Sequence, residues 1–162
     1  MFKPKIKNPK WFMKKVEVKE STVDLGGLGV FATELIEKHE MFESSPVLIW
    51  HRDLLLDYFK LNGGKHLLTH HIFLWEGPDH AFCLGYGTIY NHSNNPNALH
   101  RLVTDKKCPR IEFIAKREIQ PGEEIFHHYA PQAGDLVFAD DGSYERIGYI
   151  SDLEKQAWSH NK

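Results

Sequence analysis

Between Tyr90 and Ala98 the chain reads YNHSNNPNA, with Asn91, His92, Asn94, Asn95 and Asn97 packed behind the apolar run TIY. Short amides at this density are first of all turn formers, because they hydrogen-bond nearby backbone. Asn91 and His92, however, follow directly on apolar residues, so their amide and imidazole start near a core and need partners there. Crossed backbone or a bound polar cofactor would supply them. A second stretch, GEEIFHHY (122–129), ends an alternating apolar run on Tyr129, whose hydroxyl also needs a partner if buried. A third, GGLG (26–29), offers backbone that a ligand can approach closely. Its spacing is neither a phosphate loop nor a dinucleotide fingerprint, and a hairpin turn explains it equally well. Eleven histidines are present, and His66 and His70 stand four apart. No HExxH or CxxC pattern accompanies them, so no metal site is expected.

The elements that must position these groups are short. KKVEVKES alternates as a strand, and the glycines of DLGGLGVFA mark a tight turn before another. MFESSPVLIW reads as a strand broken at Pro46, and HRDLLLDYFK as one or two helical turns before a loop at Asn62–Gly64. HIFLW and AFCLGYG are apolar and β-prone around the turn EGPDH. IEFIAKREI and EIFHHY read as strands joined by the turn QPGEE, and SDLEKQAWSH near the end as a helix. The class is mainly β with a few short helices.

A chain of 162 residues suits one domain with a real core. The net charge of −2 gives no general attraction to nucleic acid, and direct nucleic-acid binding is not expected. Cys83 and Cys108 are too few for a disulfide framework and fit a reducing compartment. The lysine-rich start lacks the apolar core of a signal peptide, and no run reaches membrane-spanning length. The expectation is a cytoplasmic protein with no membrane partner, or one of the host nucleus if viral or a secreted effector.

Taken in order, GLGVFA, NHSNNPNA and GEEIFHHYA resemble the SET-domain protein-lysine methyltransferases, over about Val16 to Tyr129. The likeness is to the minimal viral and bacterial type, without flanking zinc-binding modules. It implies several small curved β-sheets around a pseudoknot in which the NHS and GEEI…Y segments thread together. It divides the chain into a basic N-terminal arm (1–15), the SET domain (16–130) and a C-terminal cover segment and tail (131–162). It also implies the cofactor S-adenosylmethionine, with Gly27, Leu28 and Gly29 laying backbone against it and Asn91 and His92 holding its amino-acid and adenine portions. Tyr129 falls at the catalytic tyrosine. His71, Phe73, Tyr86 and His100 fall along the substrate channel, where a neutral lysine amine would attack the transferring methyl.

Two positions depart from the small relatives. His71 stands where a tyrosine is expected and His100 where a channel aromatic is common, which makes the channel more polar. The implied substrate is a protein or peptide lysine in a basic context, a histone among them. Asp135, Asp140, Asp141 and Glu145, interleaved with Phe138 and Tyr144, would lie at the channel mouth and steer it. Homodimerisation stays open, as does the alternative of a SET-fold module that binds peptide or cofactor without turnover.

Overall fold

The computed structural model describes residues 11–23, 27–61 and 71–129, together with the backbone of 137–138 and 144–145. Gly26, most of the basic arm, the 62–64 loop, His66, His70, the acids Asp135, Asp140 and Asp141, and the last expected helix lie outside these residues. In chain order the elements are β1 (Phe12–Met13), β2 (Val16–Glu20), β3 (Leu28–Ala32), β4 (Met41–His51), α1 (Arg52–Leu61), β5 (Ile72–Leu74) and β6 (Asp79–Cys83). A 3-10 turn at Tyr86–Thr88 follows, then β7 (Asn91–His92), β8 (Ala98–Val103), β9 (Arg110–Ala115), β10 (Phe126–His127), β11 (Val137–Phe138) and β12 (Tyr144–Glu145).

The largest sheet runs β5-β6-β4-β9-β8, with β1 added to β4. Small two-stranded sheets join β2 to β3, β7 to β10 and β11 to β12. The expected break at Pro46 does not occur: β4 is continuous. Its first half pairs with β9 up to Pro46 opposite Arg110, and its second half pairs with β6 from Val47 opposite Cys83. Proline lacks an N–H, and it sits where the strand exchanges one partner for the other. Its carbonyl still accepts the Leu84 N–H at 2.9 Å. The helix is longer than expected, ten residues, with Leu55 buried and Leu54 outward. The late strands are shorter. β9 ends at Ala115, leaving Ile119 a single bridge to Ile36, and β10 keeps only Phe126 and His127.

Core side chains come from most of these elements. Val30 and Phe42, with Tyr90, Ile111, Phe113 and Ile125, are at most 1% exposed. The β2–β3 hairpin is tied to the segment before β10 by Ile125 N–H on the Val30 carbonyl (2.7 Å) and Ala32 N–H on Glu123 (2.9 Å). The glycine turn, the asparagine segment and the GEE segment are thereby brought side by side.

Candidate active site

At the hairpin end, the Asn91 amide Nδ2 lies 2.9 Å from Ser21 Oγ, 3.0 Å from the Leu28 carbonyl and 3.0 Å from Glu124 Oε1. Glu124 also accepts from Ser21 Oγ, from Thr22 N–H and from the Thr22 hydroxyl. One carboxylate thus gathers the hairpin loop and β7. Burial pushes its pKa up, but the bonds from Thr22, Asn91 and Ser21 outweigh that and hold it below the ordinary value. The two glycines answer different needs. Gly27 has φ of 61°, and among the described residues a Cβ there would meet nothing within 4 Å. A Cβ on Gly29 would lie 2.2 Å from Glu124 Oε1. Gly29 is therefore small for its neighbour Glu124, whereas Gly27 and the exposed Leu28 leave an open ledge beside Asn91.

β7 and β10 pair in parallel, Asn91 opposite Phe126 and His92 opposite His127. The pair is two residues long, and side chains extend it. Asn97, 2% exposed, donates to the Glu124 carbonyl (2.8 Å) and accepts the Phe126 N–H (2.8 Å), standing in for a strand's backbone. His92 Nδ1 accepts the Tyr129 N–H at 3.1 Å, so its ring proton sits on Nε2 and points to Asn94 Oδ1, 2.6 Å away. Asn91 and Asn97 tie separate segments together, whereas Asn94 bonds His92 and Asn95 closes a local turn on Ser93.

Beyond the crossing, the Tyr129 hydroxyl donates to the Tyr90 carbonyl at 3.1 Å. A hydroxyl has one proton and two lone pairs, so a Tyr129 committed in this way presents an acceptor to its surroundings. Those surroundings are rings. Tyr129 is 5.1 Å from His127, which stacks on Phe73 at 5.8 Å, and Phe73 meets His100 edge-on at 5.2 Å. His127 and His100 approach through their Nδ1 atoms at 3.3 Å, one donating and one accepting. Burial, then the neighbouring His128, lowers the His100 pKa to about 4. Burial, then His100 and His92, holds His127 well below the ordinary value. Both rings are neutral near pH 7. His71 Nδ1–H donates to the Thr88 carbonyl (2.9 Å), and half-buried Tyr86 opens the 3-10 turn next to it.

A family model for the SET domain matches residues 27–130, well over half of the chain. The chain belongs to the SET-domain family. It is 29% identical over 117 residues to a Schizosaccharomyces pombe histone-lysine N-methyltransferase, H3 lysine-37 specific, covering 72% of this chain and 74% of that one. A Plasmodium falciparum crystal structure described as a histone methyltransferase aligns with a TM-score of 0.57 at 28% identity, over 73% of this chain and 95% of that one. A Chaetomium thermophilum Polycomb Repressive Complex 2 bound to S-adenosylmethionine aligns with a TM-score of 0.65 over 93% of this chain and 17% of its own. At 21% identity that likeness speaks for the SET fold alone.

Within this SET domain the residues singled out in the sequence fall into two groups that share the β7–β10 crossing. Gly27, Leu28, Gly29 and Asn91 lie at the hairpin ledge. Phe73, His100 and Tyr129 lie in the ring cluster, with His71 and Tyr86 at its Thr88 side. His92 lies on the Tyr129 side, bonded to the Tyr129 N–H and to Asn94. Sequence reasoning missed Glu124, Glu43, Tyr90 and His127. Glu43 is a lone acid inside the apolar MFESSPV, and Tyr90 closes the apolar run before Asn91. Both were visible as polar groups in core-like sequence.

Proposed function

We propose that this protein transfers a methyl group from S-adenosylmethionine to the side-chain amine of a lysine in a protein substrate. SET-domain membership carries the reaction class, and one observation carries the assignment within it: the Tyr129 hydroxyl is held by the Tyr90 carbonyl while the Tyr129 ring lies against His127 of the ring cluster. S-adenosylmethionine would supply the methyl from a sulfonium, whose sulfur leaves as a neutral thioether. The ledge at Gly27 and Leu28, where a Cβ at 27 would meet nothing within 4 Å among the described residues, fits that ligand. Asn91 borders it through the Leu28 carbonyl and His92 follows Asn91 on β7, and we assign the two to its polar ends.

The chain's own contribution is to the amine. Lysine has a pKa of about 10.4 in water and must shed a proton before it attacks. Phe73 and the neutral His100–His127 pair disfavour an ammonium by desolvation without adding positive charge. Tyr129 then offers its oxygen to an amine N–H, which orients the nitrogen lone pair. Histone H3 is the substrate class we propose, from the kinship with the yeast enzyme. The C-terminal segment, whose strands β11 and β12 pair Phe138 with Tyr144, is proposed as a cover over the channel mouth.

The test is calorimetric titration with S-adenosylmethionine, followed by methyl transfer to histone H3 and to a lysate, with sites mapped by mass spectrometry. Tyr129→Phe keeps the ring and deletes one hydroxyl. It should lower turnover by about 10- to 1,000-fold with cofactor affinity nearly unchanged. Tight cofactor binding with no methylated lysine in any pool would make the protein a binding module. Full activity in Tyr129→Phe would remove Tyr129 from the mechanism.

A further inference from the structure

One buried acid remains outside this account. Glu43, on β4, is 0% exposed in the middle of the core. Four donors converge on its carboxylate: Ser45 Oγ at 2.6 Å, the Tyr90 hydroxyl at 2.6 Å, and the backbone N–H groups of Tyr86 and Gly87. The first belongs to β4 itself. The other three belong to the turn that leads into β7. That turn is closed on itself by Ile89 N–H and Tyr90 N–H on the Tyr86 carbonyl, at 2.7 and 3.2 Å. A side chain at Gly85 is excluded, because its Cβ would lie 1.9 Å from Ser45 Oγ and 2.2 Å from Glu43 Oε1. The turn therefore hangs from Glu43 at both ends, by backbone at 86–87 and by side chain at Tyr90.

We infer that Glu43 is a positioning residue for methyl transfer: by fixing the Tyr86–Tyr90 turn, it places the Tyr90 carbonyl that orients the Tyr129 hydroxyl. This rests on the reading of Tyr129 as the residue that meets the amine. A carboxylate in this place is a poor choice for packing alone. Desolvating a charge is expensive, and an apolar side chain of similar volume commonly serves a core better. Burial raises the Glu43 pKa even against its four donors. The arrangement suits an acceptor that must collect several donors at one point, which no apolar residue can do. The route to the hydroxyl is short: Glu43 Oε2 holds the Tyr90 ring, 1% exposed, and the Tyr90 carbonyl holds Tyr129.

The experiment is steady-state kinetics on a histone H3 peptide with Tyr90→Phe, Glu43→Gln and Tyr129→Phe. Each of the first two is also combined with the third. Glu43→Gln turns an amide N–H₂ toward existing donors and should lower kcat at least 10-fold. Tyr90→Phe removes one O–H from an otherwise unchanged ring, so it stays informative if the Gln variant does not fold, and it should lower kcat about 3- to 10-fold. In both, the peptide KM and the S-adenosylmethionine Kd should stay within about 2-fold. The decisive readout is the combination. If Glu43 acts through Tyr129, neither substitution slows Tyr129→Phe further. Losses that multiply, or an unchanged kcat in Tyr90→Phe, overturn the inference while leaving Tyr129 in place. Wild-type turnover in Tyr129→Phe alone is the separate failure of the underlying reading. A second readout does not depend on residual activity: with 3-fluorotyrosine at position 129, Tyr90→Phe should shift the fluorine resonance, and an unmoved resonance also overturns the inference.

Discussion

Glu124 and Glu43 are both closed off from solvent, at 4% and 0% exposure, and each gathers several donors, yet their acidities move in opposite directions. Glu124 lies shallow under the hairpin loop, where the bonds from Thr22, Asn91 and Ser21 overcome its burial. Glu43 lies deep under the 3-10 turn, where burial overcomes Ser45, Tyr90 and two backbone N–H groups. Linkage gives the sign of each effect. A carboxyl depressed in the folded state adds stability above its unfolded pKa, which is lost as pH falls through the folded value. A carboxyl raised in the folded state subtracts stability once pH rises past the unfolded value. The ledge side of the crossing therefore uses its acid to hold the fold together. The ring-cluster side keeps its acid at a stability cost, where the acid fixes the Tyr86–Tyr90 turn.

Glu124 carries the largest expected effect. Glu124→Ala leaves donors on Ser21, Thr22 and Asn91 without their shared acceptor, and each donor left buried and unpaired costs about 1–3 kcal/mol. In a chain of this size that lowers the melting temperature by roughly 10 °C. A melting curve within two degrees of wild type would show that the ledge acid is not a tie.

The ring-cluster side responds to acid. His100 is neutral when folded, with a pKa of about 4, and takes up a proton near pH 6.5 when unfolded. Its contribution is intact above pH 6.5 and lost as pH falls toward 4, amounting to roughly 2 kcal/mol between pH 7 and pH 5. Urea unfolding at these two pH values should show at least that loss, and His100→Phe should reduce it, while buried His127 keeps its own loss over the same acid range. An equal slope in the variant would mean that the imidazole is not held neutral by burial.

A more local effect belongs to the residue that ties the ledge to β7. Asn91→Ala removes an amide bonded to Ser21, Leu28 and Glu124, a cost of about 1–3 kcal/mol. S-adenosylmethionine affinity should fall several-fold in a variant that still melts cooperatively. Unchanged affinity would leave Asn91 a cross-link only.

The sequence motifs foretold which segments meet more accurately than they described those segments. NHSNNPN and GEEI…Y came together because few polar groups in an apolar context have anywhere else to go. The parallel pairing of Asn91 with Phe126 was expected as threading. The length of β4 was misread because proline usually ends a strand, and only the change of partner from β9 to β6 makes Pro46 harmless. EIFHHY kept the alternation of a strand but pairs over two residues only, since Asn97 takes the place of further ladder. Gly29 was read as room for a ligand, and its nearest neighbour is Glu124. Glu43 and Glu124 could not be sorted by sequence at all: depth, which decides the sign of their shifts, is a property of the assembled core.

The short parallel pair has a consequence for the order in which the chain assembles. Parallel strands cannot be joined by a tight turn, and here the whole β8–β9 hairpin spans the gap between β7 and β10. Until that hairpin closes, bringing Asn91 to Phe126 costs the entropy of a long loop and returns few bonds. The ledge and the Tyr129 hydroxyl should therefore be among the last features to form. Native-state hydrogen exchange would reveal this as one cooperative unit: the amides of Ser93, Phe126 and Tyr129, which close the crossing, should open together and more readily than those of β9 in the central sheet. A nascent chain would carry no working site until nearly all of residues 16–129 had been made and folded.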